Sequence, residues 1–124
     1  MKLSEEEFED LIAEALDDVP PVFAEYLERV VVDVESMPDA ETVRRLNLRD
    51  ARTLLGLFHG VPLTRQHVDA PPLMPNRVVI YQDNIQRFCR TRREMVRQVR
   101  KTVLHEIGHH FGMDEDQLAD LGYG

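Results

Sequence analysis

The chain has no tryptophan, a single cysteine and only six glycines in 124 residues. The lone Cys89 has no partner for an internal disulfide, which fits a reducing compartment and excludes a zinc cluster built from several cysteines. No apolar run approaches the roughly 18 residues of a membrane span, so no membrane partner is expected. The start, Met1-Lys2-Leu3-Ser4-Glu5-Glu6-Glu7, has neither the basic nor the apolar stretch of a secretory signal, and the expected location is the cytoplasm. Repeats and low-complexity tracts are also missing. What remains is an ordinary globular composition, 43% apolar and 31% charged, long enough for one hydrophobic core. Residues 1–124 therefore read as a single domain.

Charge is present but unevenly placed. Residues 1–50 carry five basic against fifteen acidic side chains, residues 51–112 ten against four, and residues 113–124 none against four, for a net charge of -8. The basic cluster Arg87, Arg90, Arg92, Arg93, Arg97, Arg100 and Lys101 comes without a recognised nucleic-acid motif and with few interleaved aromatics. It reads as a solvated face turned toward the acidic amino-terminal segment, with no nucleic-acid partner expected.

Periodicity gives the elements. Ser4-x-x-Glu7 has the form of a capping box, and Phe8, Leu11, Ile12, Ala15 and Leu16 continue it as an amphipathic helix to about Asp17. Pro20 and Pro21 end that helix, and Pro21 opens a short second one carrying Phe23, Tyr26 and Leu27. Val30 to Val34 reads as a buried strand, and Asp39 caps a short helix over Ala40 to Leu46. Thr53 to Phe58 reads as a strand running into a turn at Gly60-Val61-Pro62, the segment from Thr64 to Asn76 as a loop, and Arg77 to Tyr81 as a strand ending near Asp83-Asn84. Thr91-x-x-Glu94 is a second capping box. It opens a helix from about Arg92, apolar on more than one face and stopped by Gly112. One more helical turn or two is expected within Asp114 to Leu121.

That last long helix contains His105-Glu106-Ile107-Gly108-His109. Side chains four apart on a helix lie one above the other, so two imidazole nitrogens converge on one point, as a zinc ion requires. Glu106, beside the first histidine, is placed to act as general base. Chance would produce this pattern in a chain of such composition about 2% of the time, and here it falls on an independently expected, capped, apolar helix. Gly112 follows where the chain must turn back if a later residue is to be a third ligand. Two histidines and one carboxylate also suit iron, cobalt or manganese. His110, about 100° further round the helix, reads as a packing or supporting residue. His59 and His67 read as surface residues, and Cys89 as a small core residue.

His105-Glu106-Ile107-Gly108-His109-His110-Phe111-Gly112-Met113-Asp114-Glu115-Asp116 resembles the signature of the small bacterial zincin-like metallopeptidases, related to the Asp-zincins and metzincins. Leu54 to Leu63 and Pro75 to Tyr81 are similar to that family as well, so the likeness runs from about residue 50 onward. The resemblance implies an α+β minimal zincin domain, a small mixed sheet packed against the helix that bears the motif and against an amino-terminal helix. It also implies zinc (Zn2+) as cofactor, Glu106 as the catalytic base, and a peptide or protein as substrate. The family's third ligand is His or Asp, and here Glu115 occupies its position, with Asp116 as the alternative. Only twelve residues follow Gly112, too few for a metzincin methionine turn, and Tyr123 is the nearest substitute as support for a ligand or for the oxyanion. By resemblance, Arg77 to Tyr81 is the edge strand that pairs with extended substrate. A homodimer that closes the site, and a catalytically silent structural or regulatory domain that keeps the fold, are the alternatives carried forward.

Overall fold

The computed structural model describes residues 2–60 and 76–123. In chain order the elements are α1 (Glu5–Asp17), α2 (Pro21–Leu27), β1 (Val31–Glu35), α3 (Ala40–Arg45), a 3-10 turn (Ala51–Thr53), β2 (Gly56–His59), β3 (Arg77–Tyr81), α4 (Gln82–Phe88), α5 (Arg92–His110) and α6 (Glu115–Asp120). This is the expected α+β arrangement, with six helices and a three-stranded mixed sheet among the described residues.

Local signals set most of the boundaries. Ser4 and Glu7 form the full reciprocal capping box of α1. Asp39 accepts from the Thr42 N–H at the start of α3, and Thr91 accepts from the Glu94 N–H at the start of α5. The second box is only half made. Glu94 reaches past the cap residue to the Arg90 N–H.

The strand order is β1-β3-β2, with β1 parallel and β2 antiparallel to β3. Val78, Val79, Ile80 and Tyr81 are all buried, as a strand paired on both sides requires. Arg77 to Tyr81 is therefore the central strand and not the edge strand the resemblance implied, because its backbone groups are committed to β1 and β2. The valine run is one of the two outer strands. Val31 is 46% exposed, so β1 is only half-buried rather than buried. The β2 strand starts at Gly56, since Ala51–Thr53 is taken up by the 3-10 turn that Asp50 caps through the Arg52 N–H. Asp83-Asn84 does not end an element but lies inside α4, a helix the sequence reading did not anticipate. The turn at Gly60-Val61-Pro62, the loop from Thr64 and His67 fall wholly or largely outside the described residues.

The core lies between the sheet and helices α1, α2, α4, α5 and α6. Phe8, Leu11, Ile12 and Ala15 of α1 and Phe23 of α2 meet Val78 and Ile80 of β3 and Met95, Val99, Val103, Leu104 and Ile107 of α5. Each fully buried side chain of this size contributes about 1.5–3 kcal/mol of transfer free energy. The α5 helix is thus packed on several sides, which fixes the direction of the polar groups along it. Among the described residues no helix is long and apolar enough to cross a membrane.

Candidate metal centre

Three stripes of α5 have different surroundings. The first, with Val99 and Val103, enters the core. The second faces β2: a Cβ on Gly56 would stand 2.6 Å from Thr102 Cγ2, Glu106 accepts a hydrogen bond from the Phe58 N–H, and His110 stacks on the Phe58 ring with centroids 3.9 Å apart. The third, with His105 and His109, opens outward.

Beyond His110 the helix stops as the glycine requires. Gly112 has φ +92, its N–H donates to the His109 carbonyl, and the Met113 N–H donates to the Gly108 carbonyl at 2.8 Å. This left-handed turn reverses the chain. Asp114 then caps α6 by accepting from the Gln117 N–H, and Gln117 accepts from the Asp114 N–H. Close packing completes the corner, because a Cβ on Gly108 would stand 2.5 Å from Leu118 Cδ2.

The consequence is that Glu115, first residue of α6, faces the two histidines. Its Oε1 lies 2.7 Å from His109 Nε2 and 4.0 Å from His105 Nε2, and the three candidate donor atoms all fall within 4.8 Å of one another. Donors held about 2.0–2.1 Å from a tetrahedral zinc stand roughly 3.4 Å apart, so the two distances to Glu115 bracket that spacing. The donor set and its spacing fit a zinc ion. The neighbouring carboxylates are arranged otherwise: Asp114 is spent on the cap, and Asp116 is exposed outside this cluster.

His105 is oriented from behind. Its Nδ1 lies 2.9 Å from the Tyr123 carbonyl, which only accepts, so Nδ1 is the donating nitrogen and in the neutral ring Nε2 is the one left with a lone pair for the cluster. Tyr123 reaches this point because Gly122, at φ +89, ends α6 with a second left-handed turn in which the Tyr123 N–H donates to the Leu118 carbonyl. The Tyr123 ring packs edge-on against Phe23, centroids 5.5 Å apart. The contact to the histidine comes from its backbone and not from the phenol that the sequence pointed to.

Glu106 is half-buried between His105 and β2. Burial is the largest influence on its carboxyl and raises its pKa, opposed by charge on His105, the Phe58 N–H and charge on His109. A carboxylate held with a raised proton affinity beside two imidazoles is suited to taking up a proton. His110 Nε2 is buried with no hydrogen-bond partner among the described residues, and desolvation lowers its pKa, so it packs as a largely neutral aromatic ring. His59 pairs with Arg77 across β2 and β3, outside the cluster. Sequence reasoning missed two groups, the Tyr123 carbonyl and the Phe58 N–H. Both are backbone atoms brought in from elsewhere in the chain, and neither leaves a side-chain signal.

A family model described as zincin-like metallopeptidase matches residues 27–124. The match begins well before residue 50 and takes in the whole sheet, α5 and α6. No curated protein matches the chain.

Proposed function

The chain belongs to the zincin-like metallopeptidase family, and from that premise we propose that it is a zinc-dependent peptidase with Glu106 as general base. The observation that carries this is the convergence of His105 Nε2, His109 Nε2 and Glu115 Oε1 beside the half-buried Glu106 carboxylate. His105, His109 and Glu115 would hold the ion. Zinc, when bound, supplies a Lewis acid that polarises a carbonyl and brings the pKa of water toward neutrality.

The chain's own groups do the rest. Glu106 takes the proton of the attacking water on a carboxylate oxygen and delivers it to the nitrogen of the departing amine. The Phe58 N–H holds that carboxylate in place, and the Tyr123 carbonyl holds His105 in the tautomer that leaves Nε2 free. Extended substrate is assigned to the outer edge of β2 instead of β3. The Tyr81 N–H donates to the Leu55 carbonyl, so by the alternation of an antiparallel ladder Gly56 and Phe58 turn their backbone groups away from β3; with the Phe58 N–H taken by Glu106, the Gly56 backbone groups and the Phe58 carbonyl are the ones left to pair with substrate.

The test is zinc content and cleavage measured together. Elemental analysis of chelator-treated, zinc-supplemented protein should give about one zinc per chain, lost in Glu115→Gln with His109→Ala. The wild type should cleave members of a broad peptide library, and Glu106→Gln should keep the zinc and lose the cleavage. Protein that binds no zinc refutes the proposal. Zinc retained with no cleavage by either form would instead mark a metal-binding domain without turnover.

A further inference from the structure

The basic cluster around α5 divides in the structure, with Arg87 set apart by its hydrogen bond to Asn84 Oδ1. On one side Arg92 pairs with Glu14 at 2.6 Å, and Arg100 donates to the Ala15 carbonyl at 2.7 Å near the end of α1, as the acidic segment was expected to require. On the other side Arg90, Arg93, Arg97 and Lys101 are exposed and make no ion pair among the described residues.

Two of these free cations, Arg97 and Lys101, lie beside the most exposed large apolar side chain of the described residues, Phe88 at 66%. A shallow groove of ≈ 260 Å³ is lined by Phe88, Cys89, Glu94, Arg97, Gln98 and Lys101. Glu94, its one acid, is already bonded to the Arg90 N–H. The groove ends at Lys101, one helical turn before the metal centre on the same helix. Arg97, Lys101, His105 and His109 follow one another at intervals of four, a stripe that winds only about 40° round the helix per step. Lys101 is then about 6 Å, and Arg97 about 12 Å, along the helix from His105.

We infer that this groove is a substrate subsite for an acidic peptide segment, read by Arg97 and Lys101 and anchored by an apolar residue against Phe88. The inference rests on the peptidase reading for the word substrate, but its physical basis is charge complementarity beside the centre. Extended chain advances about 3.3 Å per residue, so the acidic residues stand two to four positions from the cleaved bond, on one side of it. A nucleic acid fits less well. One aromatic and two cations track too few phosphates, and the surrounding protein carries a net charge of -8.

The test measures binding by fluorescence anisotropy to zinc-loaded Glu106→Gln protein at 50 mM salt. The probes are a labelled dodecapeptide with two glutamates flanking a leucine, its glutamine counterpart, and a twelve-residue oligothymidylate. Two exposed ion pairs, each worth up to about fivefold, give roughly tenfold preference for the acidic peptide over the glutamine one. Arg97→Glu with Lys101→Glu should abolish that preference. Arg44→Glu with Arg45→Glu, which changes net charge equally at exposed sites on α3, should keep it, and Phe88→Ser should weaken both peptides about threefold.

Equal binding of the two peptides, a preference that survives the α5 charge reversal, or tighter binding of the oligonucleotide overturns the inference. Zinc content and wild-type cleavage are read in parallel. Cleavage without acidic preference removes the subsite and leaves the peptidase, whereas an Arg97- and Lys101-dependent preference without zinc or cleavage keeps the docking groove and removes the peptidase.

Discussion

Replacing Gly108 by alanine separates the stability of the fold from the integrity of the metal centre. Alanine in a helix interior gains about 1 kcal/mol over glycine. Here the new Cβ meets Leu118 Cδ2 at 2.5 Å, with Leu118 Cγ and Met113 Sδ at 3.4 Å, so something must yield by about 1 Å. Leu118 is fully buried, and such overpacking costs about 1–3 kcal/mol. The two effects nearly cancel, and the urea midpoint of metal-free protein should correspond to a net loss of no more than about 2 kcal/mol. The metal centre has no such compensation. Leu118 lies one turn beyond Glu115 on α6, so moving it outward carries Glu115 away from His105 and His109. Zinc affinity, measured by competition with a chromogenic chelator, should fall about 10- to 100-fold, the range seen when the support of a ligand is disturbed. A variant about 1 kcal/mol more stable with unchanged zinc affinity would falsify the reasoning, since Leu118 would then be turning aside without moving the helix.

Glu106→Gln should stabilise metal-free protein at pH 7 relative to wild type and leave it nearly unchanged at pH 4. Burial raises the folded-state pKa, so the wild-type contribution is intact below the unfolded value and lost as pH rises through the folded one. Equal urea midpoint differences at the two pH values would contradict this. Thr91→Ala removes the side chain that accepts the Glu94 N–H and should cost about 1 kcal/mol in the same assay, since α5 carries both the core and the centre. Cys89 is buried and its thiol pKa is raised by desolvation, so at pH 8 a chromogenic disulfide should modify it at least about tenfold more slowly in folded than in unfolded protein. Comparable rates would place Cys89 outside the core.

The caps of α1, α3 and α5 were legible because they are contacts between residues three apart. The same is true of a signal left unread, the Asp114-x-x-Gln117 box that starts α6 at Glu115. It assigns Asp114 to capping and places Glu115 at the first position of the helix, beside the histidines. The α4 helix was missed for a related reason. It begins directly after β3 at Tyr81 with no side-chain cap, and the Asp83-Asn84 pair in its first turn reads locally as the end of a strand.

The sequence by itself determined the long helix α5, the spacing of His105 and His109 on one stripe of it, Glu106 beside them, and the reversal at Gly112. All of these follow from helical period and backbone sterics within a few residues. Only the tertiary structure decided that β3 is central and β2 lies against α5, because strand order depends on pairing between distant segments. It alone brought the Phe58 N–H to Glu106 and the Tyr123 carbonyl to His105, contacts across 48 and 18 residues. It also divided the basic cluster, pairing Arg92 with Glu14, bonding Arg100 to the Ala15 carbonyl, and leaving Arg97 and Lys101 free beside Phe88. A charge in the sequence has a sign, but the element packed beside it determines whether that charge is satisfied.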